Sequence, residues 1–129
     1  MRQVVTIAAD DIAPEQDESL ALQGLKAGVK PSAAVLDLYH GALALFLAYA
    51  RPAGILASIS KEEFERVYHG EGRNETRTPV QDIFPRAERM ALFAVTVGQR
   101  VHDRINELFD ASDFALASML DSVASAGVE

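Results

Sequence analysis

The sequence predicts one domain that mixes helices and strands, and three observations carry that reading. Three short apolar runs, Val4 to Ile7, Ala53 to Ile59 and Met90 to Val97, stop at polar or glycine residues as strands do. Elsewhere apolar residues recur at helical spacing behind recognisable helix starts, at Pro31-Ser32, Ser60-Lys61-Glu62-Glu63 and Thr78-Pro79-Val80-Gln81. With 129 residues, 49% of them apolar, the chain has the length of one ordinary domain and enough apolar side chain for a core.

Taken in order, Val4 to Ile7 reads as a short edge strand. The acidic stretch from Asp10 to Glu18 then reads as a turn, with Pro14 and its acids suited to a helix start. That helix carries Leu20, Leu22 and Leu25, and Gly28 is placed to stop it. A long apolar helix follows, opened by Pro31 or Ser32 and closed before Pro52. Its length of about 20 residues matches a membrane span, yet Asp37 and His40 lie inside it. An Asp near the centre of a span costs roughly 3 kcal/mol. The segment therefore reads as a core helix, with His40 a satisfied core or interface histidine.

Ala53 to Ile59 forms the second strand, and Ser60 with Glu63 makes a capping box for a short helix through Val67 and Tyr68. His69 to Glu75 is glycine-rich and polar, an exposed loop, and Thr78-Pro79 opens a further helix that Pro85 halts. Met90 to Val97 is apolar on both faces apart from Thr96, which predicts a strand at the centre of a sheet with both faces covered. Gly98 breaks it. Val101, Ile105 and Leu108 then mark a helix with polar His102, Arg104 and Glu107 on its other faces. A last helix carries Phe114, Leu116, Leu120 and Val123, with Ala and Ser at close-packing positions.

Several function classes are disfavoured at once. The formal charge is -7 and no stretch gathers Lys and Arg, so binding of nucleic acid through its phosphates is not expected. With no cysteine there is no disulfide, thiolate nucleophile or cysteine-ligated metal, which is consistent with the cytoplasm. His40, His69 and His102 are too far apart in sequence for a short metal motif, so no metal site is expected. Asp10 and Asp11 point in different directions as neighbours and read as a turn. Gly70-x-Gly72 lacks the rest of a phosphate loop, and no Gly-x-Ser-x-Gly elbow occurs, so no catalytic residue is assigned.

Three segments in order carry a resemblance: Ala91-Leu92-Phe93-Ala94-Val95-Thr96-Val97-Gly98, the helix Arg100 to Ile105, and the small-residue helix from Leu120 to Glu129. This succession is similar to the activation (reactivation) domain of cobalamin (vitamin B12)-dependent methionine synthase and to smaller proteins that share it. Arg73-Asn74-Glu75-Thr76-Arg77-Thr78 looks like an Arg-Asp-Glu-Thr-Arg-Thr stretch of the same domain, with Asn74 in place of the acid. The resemblance implies an α+β fold, a mixed or antiparallel sheet with packed helices, binding S-adenosylmethionine near the sheet. It implies a corrinoid protein or methionine synthase module as partner, with cobalamin present only through that partner, since Asp-x-His-x-x-Gly is absent here. It places Glu129 where the family has a helical glutamate beside the ligand, and a carboxylate suits the cationic end of S-adenosylmethionine.

The family's Arg-x-x-x-Gly-Tyr loop has no counterpart in these residues. The expectation is therefore that residues 1–129 are the N-terminal part of a longer protein of this kind, inactive as a methyltransferase alone. A different expectation is a structural or interaction module that oligomerises through its apolar helix, residues 33–50. An unrelated enzyme using His69, Glu75 and Arg77 ranks last.

Overall fold

A computed structural model describes residues 2–67 and 85–129, and their fold is α+β. The elements run β1 (Arg2–Thr6), α1 (Ala9–Ile12), α2 (Gln16–Leu22), α3 (Ala33–Tyr49), β2 (Ala53–Ser60), α4 (Lys61–Val67), β3 (Arg89–Thr96), α5 (Gln99–Asp110) and α6 (Phe114–Gly127). The polar loop from His69 to Glu75, the helix start at Thr78, the stretch 73–78 and the His69, Glu75, Arg77 group lie outside the described residues.

The three strands form one sheet in the order β1-β2-β3. Pairing is antiparallel: the Ile7 N–H just past β1 donates to Pro52 O at 3.2 Å just before β2, and Arg51 N–H donates to Val97 O at 2.8 Å. At the other end of β2, Lys61 N–H donates to Glu88 O at 3.2 Å. By contacts the chain divides into two compact units, Met1–Val5 with Ile55–Ala94, and Thr6–Gly54 with Val95–Glu129.

The first unit holds α4 and most of the strand residues. The capping box expected at Ser60 is present in both directions: Glu63 N–H donates to Ser60 Oγ at 3.1 Å, and Ser60 N–H donates to Glu63 Oε2 at 2.9 Å. These bonds, the backbone one foremost, hold the Glu63 carboxyl below its ordinary value. Arg89 reaches across from β3 to donate to Ser58 Oγ on β2 at 3.2 and 3.3 Å. The expected central position of β3 is corrected. Both β1 and β3 pair to β2, so β2 is the middle strand and β3 an edge. Nor are its faces covered, since Leu92 and Phe93, which point to opposite sides, are 39% and 74% exposed. An unbroken apolar run shows that a strand could be buried on both sides; it does not supply the layers that would bury it.

The second unit is built around α3. Ser32 caps it, accepting from Val35 N–H at 3.3 Å, and Ala50 closes it by donating to Phe46 O at 2.8 Å. Its buried residues Tyr39, Ala42 and Phe46 follow one helical stripe, which packs mainly on α6 and also on α5. The α5 stripe is the one the spacing predicts, with Val101, Ile105 and Leu108 all buried. On α6 the buried set is Ala117, Met119, Leu120, Ser122, Val123 and Ala124, whereas Phe114 at the helix start is 61% exposed and lies against Phe109. The core position expected for His40 is corrected: the residue is exposed, with its ring 5.4 Å from that of Tyr39. Helix α2 ends at Leu22, before the expected stop at Gly28, and the acidic turn contains the short helix α1.

Between α5 and α6 the chain turns through Ser112, whose φ is 62°. Ser112 N–H donates to Phe109 O at 3.0 Å and Asp113 N–H to Leu108 O at 2.9 Å. That pair of bonds is a Schellman closure with serine where glycine is usual.

Candidate functional site

Glu129 follows the last turn of α6, and its backbone N–H donates to Ala126 O at 3.4 Å. The residue is exposed and borders a cavity of about 340 Å³ within the second unit. Across that cavity stand Asp11, Pro14 and Glu18 from the beginning of the chain. The approach depends on Gly127, because a Cβ there would meet Phe46 Cζ at 3.1 Å and Ile12 O at 3.3 Å. A small residue thus lets the end of α6 lie against α1, and the carboxylate that follows it comes to the same space as the acids of the N-terminal segment.

The opposite wall is held by local bonds. Glu15 and Glu18 form a reciprocal cap on α2, with Glu15 N–H donating to Glu18 Oε2 at 3.1 Å. Tyr39 Oη donates to Pro14 O at 3.2 Å and so ties α3 to the wall. Burial raises the Tyr39 phenol above its ordinary value, and the nearby carboxylates of Glu15 and Glu18 add to the rise. The hydroxyl therefore stays protonated and available as a donor.

Asp11, Glu18 and Glu129 give the cavity negative potential, which favours a cationic ligand over an anionic one. They provide acceptors and no donor of their own. The resemblance alone singles out Glu129, and it is silent on its neighbours here, because Asp11 and Glu18 read locally as a turn and a helix start. Asp10 borders a different space with Thr6, Leu47 and Arg51. Of the histidines, His102 lines a separate cleft with Asp121, and among the described residues no group of three or more acidic, histidine or cysteine side chains could hold a metal ion. No described helix is long and apolar enough to cross a membrane.

Gly98, the residue ending the strand motif, has φ 93°, and a Cβ there would lie 3.0 Å from Arg51 O. Thr96 stabilises the same turn by accepting from Gly98 N–H at 3.0 Å. Each has a role in joining the strand to α5. Compared with known proteins, the chain matches no protein-family model and no curated relative.

Proposed function

We propose that the chain is part of a methionine synthase activation-domain-like protein, one that binds S-adenosylmethionine and assists reductive reactivation of a corrinoid enzyme in the cytoplasm. The observation that supports this most is the setting of Glu129. A residue singled out by a motif resemblance borders a cavity whose other charged side chains, Asp11 and Glu18, are also carboxylates. That donor set fits the ammonium and sulfonium of S-adenosylmethionine. The bound cofactor would supply the methyl group for the corrinoid, which the partner holds. The part of this chain is to bind and orient: Glu129 and Asp11 attract the cationic end, and the Tyr39–Pro14 bond keeps the wall in place. Holding two reactants in position removes much of the entropic barrier to their reaction.

The Arg-x-x-x-Gly-Tyr sequence that the resemblance calls for does not occur among the 129 residues. Calorimetry on this chain is accordingly expected to show binding of S-adenosylmethionine weaker than micromolar, or none. Reading the locus beyond codon 129 provides the decisive test. An open frame encoding Arg-x-x-x-Gly-Tyr, with a product that binds S-adenosylmethionine at micromolar concentration and loses it on Glu129→Gln, supports the proposal. A stop codon, or a longer product without affinity, overturns it.

The alternative, an interaction module that self-associates through the helix at 33–50, has less support. Tyr39 and Phe46 are buried, and outward α3 presents mostly small or polar residues, Ala34, Asp37, His40, Gly41 and Ala44, with Leu47 its one exposed large apolar side chain.

A further inference from the structure

We propose that the cleft between the end of β3 and the α5–α6 pair binds a nucleoside, with the base on an apolar floor and the ribose hydroxyls on Asp121. The cleft lies within the second unit and has a volume of about 280 Å³, close to the lower end of small-molecule sites, about 300 Å³. Its floor includes Val97, Val101 and Ile105, of which the last two belong to the buried core. This gives the floor a fixed shape.

Four polar side chains border the floor: Thr96, His102, Asp121 and Ser125. Thr96 Oγ1 already accepts from Gly98 N–H, which leaves its hydroxyl hydrogen free to donate. His102, Asp121 and Ser125 make no side-chain hydrogen bond or ion pair to another described residue. Asp121 and Ser125 are four apart on α6 and so share a face, while His102 comes from α5.

This set of groups narrows the ligand. An ionised carboxylate only accepts, so the group facing Asp121 must donate, and a vicinal diol offers two donors to one carboxylate. Acidic residues recognise ribose in this way in dinucleotide sites. A flat ring suits the aliphatic floor, and the imidazole and hydroxyls can bond a base through either donors or acceptors. A phosphate is disfavoured by the Asp121 charge and by the formal charge of -7. The ligand class is therefore a nucleoside without phosphate. The cleft shares no lining residue with the Glu129 cavity, and the inference rests on the S-adenosylmethionine reading only for the choice of adenosine as the nucleoside tested.

The test is a titration of the isotope-labelled full chain with adenosine, followed by amide chemical shifts. The expected result is saturable shifts at His102, Asp121 and Ser125 with millimolar affinity. Adenosine 5′-monophosphate and 2′-deoxyadenosine should each bind roughly tenfold more weakly. Asp121→Asn should weaken adenosine by a similar factor and narrow its advantage over the monophosphate, with an unchanged amide spectrum elsewhere showing that the fold is kept. Ser125→Ala provides a second, milder variant for the same comparison. Absence of shifts at the cleft, or equal binding of adenosine and 2′-deoxyadenosine, would overturn the proposal. The outcome is separable from the reading-frame test: adenosine can bind the cleft if that test fails, and the longer product can bind S-adenosylmethionine while leaving His102 and Asp121 unshifted.

Discussion

Two single positions show opposite uses of the left-handed backbone region. Gly98 occupies φ 93° beside the Arg51 carbonyl, where a side chain meets both torsional strain and a backbone atom that cannot move aside. Gly98→Ala is expected to cost about 1–3 kcal/mol, read as a lower urea midpoint with an unchanged slope. Ser112 occupies φ 62° at the end of α5 with no need for its side chain in the closure. Ser112→Gly should therefore raise stability by about 0.5–1 kcal/mol, the relief of the backbone exceeding the added freedom of the unfolded chain. The sequence makes the break at Gly98 legible, because glycine ends an apolar run there. The demand at Ser112 is not legible, since serine is unremarkable after a helix and only the bonds at Phe109 and Leu108 reveal the closure.

Among the elements, α6 joins most of the second unit together, packing on α2, α3 and α5. Its serines are more than small residues. Gln23 Nε2, just past α2, donates to Ser118 O at 3.0 Å, Ser118 Oγ at 3.1 Å and Ser122 Oγ at 2.6 Å. One amide thus fastens two helices. Gln23→Ala should cost about 1–2 kcal/mol, because it leaves the buried Ser122 hydroxyl without that donor. Thermal unfolding of the variant and of Gln23→Glu would check it, the latter replacing a donor by an acceptor. Helix identity was largely readable from the sequence: Ser32 and Ser60 mark starts by their capping chemistry, and the α5 stripe follows from its spacing. Partnership was not. Nothing local to Gln23 points to Ser122, just as nothing local to Asp11 points to Glu129, because such pairs form only once distant segments pack. Phe114 shows a related limit: it opens the last helix as its spacing predicts and is 61% exposed, since helical spacing identifies a stripe without saying where along the helix its cover ends.

At the scale of the whole molecule the two units differ in what they bury. The second contains the core residues from Leu20 to Ala124, Phe46 and Leu120 among them at full burial. In the first, the strands leave Val4 72% and Phe93 74% exposed, with Ile55 and Leu56 on opposite faces of β2 also exposed. Strand existence was legible from apolar runs, but order and cover were not, because both depend on which strand takes the middle. The apolar strand residues have a calorimetric consequence. Heat capacity rises on unfolding because apolar groups become hydrated, by about 12–15 cal/mol/K per residue, or roughly 1.5–1.9 kcal/mol/K for 129 residues. Side chains such as Val4, Leu92 and Phe93 already meet water in the folded chain and add little to that rise. Scanning calorimetry on dilute protein should give a value below the range, and so a flatter stability curve with temperature; a value within it would mean that these strands are covered in solution.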